Sequence, residues 1–160
     1  MDVYLIRHAH AGQRTFGSND KYRPLSEQGH RQAADLAEYF SAVSLSAVYS
    51  SPATRCSQTV EPSANAAGLA VVEHDDLWED AWLDNVMTFI DEACRSSSES
   101  GGIAICSHGN LIPAVVEQLG HRGVPISGRG CERASIWKLQ RDRDDWVHAQ
   151  YLTPRSSYRS

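Results

Sequence analysis

Short apolar runs alternate along the chain with segments whose apolar residues recur every three or four positions. Val3-Tyr4-Leu5-Ile6, Ala47-Val48-Tyr49, Leu69-Ala70-Val71-Val72 and Ile103-Ala104-Ile105-Cys106 are β-prone and bounded by polar or turn-forming residues, so each reads as a strand. Between the first two, Ser26 stands where an N-cap belongs, ahead of a stripe formed by Ala33, Leu36, Ala37 and Phe40. A second helix is expected to hold Pro52 in its first turn and to carry Arg55, Thr59 and Val60. Further helices are predicted over 83–93 and 111–119, the latter with Pro113 in its first turn. Near the end, Ala134-Ser135-Ile136-Trp137-Lys138-Leu139 and Trp146-Val147-His148-Ala149-Gln150-Tyr151 alternate like strands on either side of a charged turn, which suggests a hairpin or meander. Repeated βα alternation predicts an α/β fold, a three-layer α/β/α sandwich around a mostly parallel central sheet.

Composition narrows the class without changing that picture. A chain of 160 residues with no Pro/Gly/Ser-rich divider reads as one domain over 1–153, followed by a tail, 154–160, expected to be disordered. A formal charge of -5 argues against a nucleic-acid binder that works by phosphate neutralisation. Only six residues precede Arg7, too few for a secretory apolar segment, and no apolar stretch approaches the ~18 residues of a membrane span. A cytoplasmic protein with no membrane partner is expected. Cys56, Cys94, Cys106 and Cys131 lie far apart with no CxxC pair, so neither a zinc knuckle nor a disulfide scaffold is indicated.

The chemistry sits at strand ends. His8 follows the first apolar run and His108 the fourth, and in α/β proteins ligands bind at the carboxyl ends of strands, so both imidazoles are expected to open into one pocket. Arg7 adjoins His8, and Arg55 lies close to the start of the second helix, where free N–H groups already favour an anion. Strict strand alternation would send Arg7 and His8 to opposite faces, so the strand is expected to break at His8.

Four blocks in order carry a resemblance: Leu5-Ile6-Arg7-His8-Ala9; Arg23-Pro24-Leu25-Ser26 with Gly29 and Gln32; Ser50-Ser51-Pro52-Ala53-Thr54-Arg55 with Gln58-Thr59; and Ser107-His108-Gly109-Asn110. Together they resemble the histidine phosphatase superfamily, which includes cofactor-dependent phosphoglycerate mutases and SixA-type phosphohistidine phosphatases. A closer similarity, through Ala11-Gly12-Gln13-Arg14, Arg55-Cys56-Ser57-Gln58-Thr59-Val60-Glu61-Pro62 and Asn110-Leu111-Ile112-Pro113, is to the phosphatase domain fused to actinobacterial MutT-type Nudix hydrolases. The Nudix signature itself is absent, and the domain is read as standing alone.

The resemblance implies a phosphoglycerate mutase-like fold and a metal-independent phosphatase that needs no cofactor. By it His8 is the nucleophile that becomes a phosphohistidine, while Arg7, Arg55 and His108 hold the non-bridging oxygens. The residue chemistry agrees: neutral imidazole is nucleophilic near pH 7, and guanidinium forks suit phosphoryl oxygens. The family's Leu-x-Glu pattern falls on Leu77-Trp78-Glu79, making Glu79 the general acid, with Asp80 and Asp76 as alternatives. A carboxyl desolvated beside Trp78 and Trp82 would hold its proton more tightly. Gly109 joins the substrate-binding set, as do Arg14 and Arg23 in the segment 13–24, a candidate lid whose charges suit a second phosphate or remain solvated. His10 departs from the family pattern and either touches substrate or is exposed.

Three other functions compete. A phosphomutase of the same family would need a pocket that retains a bisphosphate, which the short stretch between Arg55 and Glu79 argues against. A metal-dependent hydrolase would use His8-x-His10 as a ligand pair, but such barrels run to ~250 residues and need further ligands in order. A phosphoprotein-binding module is disfavoured because nucleophile, arginines, second histidine and acid are all present. The expected partner is a phosphorylated small molecule or a phosphohistidine protein, chosen by loops; oligomeric state is not read from the sequence.

Overall fold

β1 (Asp2–Arg7) has an unbroken buried apolar interior and lies inside a seven-stranded sheet, with α1 (Glu27–Phe40), β2 (Leu45–Ser50), α2 (Thr54–Ala66) and β3 (Val71–Glu73) following it. The second half supplies α3 (Leu83–Ser96), β4 (Gly102–Ser107), α4 (Leu111–His121), β5 (Ile126–Ser127), β6 (Ile136–Asp142) and β7 (Asp145–Leu152). This computed structural model describes every residue except 15, 16, 18, 98, 99 and 154–160, so the tail expected to be disordered lies outside the described residues. No helix among the described residues is long and apolar enough to cross a membrane.

Strand order is β3-β2-β4-β1-β6-β7-β5. The half from β3 to β1 is parallel, whereas β6 runs antiparallel to both β1 and β7. Alternation along β1 divides the core between the two faces. Val3 and Leu5 join Ile103, Ile105 and the inner faces of α3 and α4, while Tyr4 and Ile6 join Ala104, Val48 and the stripe of α1 and α2. Helices therefore cover both faces of a mixed, mostly parallel sheet, the three-layer sandwich that the βα alternation predicts.

The elements depart from the sequence reading in bounded ways. Ser51 Oγ accepts the Ala53 N–H at 3.3 Å, which places Pro52 in the turn ahead of α2 rather than inside its first turn. β3 starts at Val71 instead of Leu69 because the Leu69 N–H is taken by Ala64 O at 2.9 Å in the turn that closes α2, where Gly68, just past the C-cap Ala67, has a φ of +70°. Ser26 caps α1 as expected, accepting the Gly29 N–H at 3.1 Å. The two-residue β5, paired parallel with β7, and a short 3-10 turn at Asp20–Tyr22 have no counterpart in the periodicity.

Candidate active site

β1 and β4 are adjacent and parallel with Arg7 opposite Ser107, so the residue that follows each strand emerges at the same level. His8 donates its N–H to Ser107 O at 3.1 Å as β1 ends, and the break expected at His8 lets Arg7 and His8 serve one cavity. The ring centroids of His8 and His108 lie 5.6 Å apart.

Hydrogen bonds fix the state of the first ring. His8 Nδ1 lies 2.8 Å from the carbonyl oxygen of Ala9, which can only accept, so Nδ1 carries the proton and Nε2 keeps a lone pair. Burial, reinforced by the charges of Arg55, His108 and Arg7, pushes the His8 pKa down to about 3, against the pull of that Ala9 hydrogen bond. His108 is held from the other side, with Nε2 at 2.8 Å from the buried Ser51 Oγ. That leaves Nδ1 facing Arg55 Nη2 at 3.5 Å and Glu79 Oε2 at 3.9 Å. A guanidinium can only donate, so Nδ1 accepts from Arg55, and the Ser51 hydroxyl, which both donates and accepts, takes the proton on Nε2.

Polar latches account for much of the motif sequence. The Ala9 N–H donates to Thr59 Oγ1 at 2.9 Å, and Thr59 Oγ1 donates to Arg55 O at 2.6 Å, tying the exit of β1 to α2. Gln58 Oε1 accepts the Leu25 N–H and Gln32 Oε1 the His10 N–H, at 2.9 and 2.8 Å. Gly29 lets α1 press on the same loop, since a Cβ there would lie 2.0 Å from His10 O.

The cavity, about 690 Å³, is lined by Arg7, His8, Arg55, Glu79, His108 and Gly109, together with His10, Arg14 and Arg23. All predicted site residues therefore converge on it. Arg55 is 1% exposed, and the Nε atoms of Arg7 and Arg55 are buried without hydrogen-bond partners among the described residues. Two unpaired buried guanidinium donors and an imidazole lone pair on one cavity are the groups that suit an oxyanion. Gly109 keeps this compact, because a Cβ on it would lie 2.7 Å from Arg7 Nε.

Several expectations need correction. Arg23 spends Nε on Asp20 Oδ1 and Nη1 on Gly12 O, both at 2.9 Å, so two of its nitrogens are engaged within the protein instead of standing open to substrate. Arg14 remains largely exposed, 3.5 Å from Asp20. His10 is partly buried in the cavity wall, in keeping with the first of its two expected placements. Its Nδ1 lies 2.6 Å from Ser26 Oγ, and no group of three His, Cys, Asp or Glu side chains among the described residues could hold a metal ion. Trp82 is 79% exposed and gives Glu79 no cover, whereas Trp78 packs edge-on against His108 and near Arg55. Arg133, Asn110, Gln13 and Ala11 also line the cavity, and Asn110 Nδ2 donates to Glu79 O at 2.6 Å. Arg133 and Asp20 carry no local signal in the sequence as site residues, since only the fold brings them here.

The histidine phosphatase superfamily (branch 1) family model matches residues 3–85. The chain belongs to this superfamily. Among histidine phosphatase relatives, an 8-oxo-(d)GTP phosphatase of Mycolicibacterium smegmatis is 29% identical over 154 residues; these make up 95% of this chain but only 48% of the relative, so the chain spans about half its length. A SixA phosphohistidine phosphatase candidate from Agrobacterium tumefaciens is 27% identical, with a TM-score of 0.70 and coverage of 96% of this chain and 97% of that one. The protein histidine phosphatase SixA in complex with tungstate shares the fold at a TM-score of 0.75 and 19% identity, over 96% and 95% of the two chains.

Proposed function

We propose that this histidine phosphatase is a metal-independent phosphomonoesterase that works through a phosphohistidine on His8 Nε2. The observation that carries the reading is the lone pair on His8 Nε2 set beside the unpaired Nε donors of Arg7 and Arg55. In this reading Nε2 attacks phosphorus in line, the ester P–O bond breaks with its electron pair on the leaving oxygen, and Glu79 supplies a proton to that oxygen. Water then attacks the phosphohistidine, Glu79 takes a proton from it, and the P–N bond returns its pair to Nε2. Arg7, Arg55 and His108 hold the three non-bridging oxygens, where guanidinium charge replaces that of a metal.

Arg14 and Arg133 at the cavity mouth exceed what one phosphoryl group requires, which favours a substrate bearing a further anionic group. The names of the relatives support two candidates, a nucleotide and a protein phosphohistidine. The deciding experiment is hydrolysis of p-nitrophenyl phosphate after exhaustive EDTA treatment, with acid-quench trapping of the enzyme. Turnover should survive chelation, the trapped phosphoenzyme should be acid-labile and alkali-stable, and His8→Ala should lack both. Activity lost to EDTA and restored by zinc or manganese would overturn the reading. A panel of nucleotides, sugar phosphates and phosphohistidine peptides then identifies the substrate.

A further inference from the structure

Asp20 lies outside every motif of the sequence, yet it meets three arginines. Its Oδ1 accepts from Arg23 Nε at 2.9 Å and lies 3.5 Å from Arg14 Nε; its Oδ2 lies 3.3 Å from Arg55 Nη2; and its backbone carbonyl accepts from Arg55 Nη1 at 2.9 Å. The short turn that presents it is itself capped, since Asn19 Oδ1 accepts the Lys21 N–H at 3.1 Å. A guanidinium has an end-on edge, Nη1 with Nη2, and a side-on edge, Nε with Nη2, and either can grip two oxygens. Here a single residue faces the end-on edge of Arg55, its carbonyl by a hydrogen bond to Nη1 and its carboxylate Oδ2, which has no hydrogen-bond partner among the described residues, by an ion pair with Nη2. Nε stays unpaired.

We propose that Asp20 is a positioning residue of the phosphoryl pocket: by occupying the end-on edge of Arg55 it reserves the side-on edge for the phosphoryl group, and it joins Arg23 and Arg14 to that arginine through one carboxylate. The inference rests on the phosphatase reading above. Arg55 is almost completely buried, and its other polar neighbours, Glu79 Oε2 at 3.6 Å and His108 Nδ1 at 3.5 Å, both face Nη2, so Asp20 O is the hydrogen-bond partner that fixes Nη1. The carboxylate is suited to the task across the working pH range. Burial opposes its ionisation, but the hydrogen bond from Arg23 and the charges of Arg55, Arg23 and Arg14 outweigh burial and hold it below the ordinary aspartate range.

Electrostatics alone and positioning predict opposite results for Asp20→Asn, which keeps the shape and the backbone carbonyl. Removing a negative charge next to a dianion site should tighten ground-state binding if charge were all that mattered. Positioning requires kcat on p-nitrophenyl phosphate to fall on the order of ten- to a hundredfold, less than deletion of an oxyanion donor itself. KM should stay within about threefold, which separates misalignment in the transition state from loss of uniform binding. Melting temperature is measured alongside, and in an Arg55→Lys background, which has no bidentate fork, Asp20→Asn should change kcat less than about twofold. Wild-type kcat in Asp20→Asn, or an equal loss in both backgrounds, overturns the proposal, as does a loss of kcat matched by a collapse in melting temperature. Tungstate binding by calorimetry keeps the two readings apart. A wild-type chain that neither hydrolyses the ester nor binds tungstate removes the phosphatase reading and the proposal together. A wild-type chain that does both, with Asp20→Asn indistinguishable from it, removes the proposal alone.

Discussion

His8 has one ring nitrogen committed to Ala9 and the other in reserve, and its depressed pKa has consequences outside catalysis. An unfolded histidine takes up a proton near pH 6.5, whereas His8 in the folded chain does so only near pH 3. Between those values the unfolded state binds the extra proton, so this group's contribution lowers stability as pH falls through that window and contributes nothing above it. His8→Asn should accordingly lose less melting temperature between pH 7 and pH 4 than the wild type; identical slopes would mean that His8 titrates normally. Glu79 is tested by leaving group. Glu79→Gln should slow alkyl phosphates by about 10²- to 10⁴-fold while sparing p-nitrophenyl phosphate, whose phenolate departs with little help, and similar small losses on both would point to Asp80 or Asp76. His8, His108, Arg7 and Arg55 were legible because strand ends and helix starts are local signals. Ser51's hold on His108, Arg133 at the mouth and Asp20 behind Arg55 were not, because each acts on a residue distant in the chain.

At the level of elements, two glycines of the motif blocks separate folding from function. A methyl on Gly29 would meet the His10 carbonyl, a backbone atom that can move only if α1 withdraws from the loop. Gly29→Ala should therefore destabilise the fold by about 1–3 kcal/mol or more. A methyl on Gly109 would meet instead the guanidinium of Arg7, the end of a flexible side chain that can swing away. Gly109→Ala should leave melting within about 2–4 °C of wild type, corresponding to less than roughly 1 kcal/mol, yet lower kcat by about tenfold or more. Thermal melts and p-nitrophenyl phosphate kinetics on the two variants check both statements, and parallel losses in both would reject the separation. The sequence was most informative about α1, whose stripe and Ser26 cap agree with each other. It was silent on the direction of β6, because alternation along a strand is the same whichever way the strand runs. The late start of β3 was equally hidden, since it depends on a backbone hydrogen bond at the end of α2.

The molecule as a whole gathers arginine around one cavity in a chain of formal charge -5, so the overall charge hides a local positive field. Its topology sets an order of events during synthesis. β1 pairs with β4 on one side and β6 on the other, with partners first available at residues 102 and 136. Among the seven strands described, the first to be made thus waits for neighbours that come much later, and closing the intervening loop costs chain entropy before any pairing rewards it. A fragment covering residues 1–100 would present β1 with two open edges and the inner stripes of α1 and α2 with half a sheet to pack on. Such a fragment should show no cooperative melt and should associate through its exposed strands, whereas the full chain recovers activity only after β4 and β6 have docked. Such a nascent segment needs protection until β4 and β6 have been made, and the site becomes competent only after both have emerged.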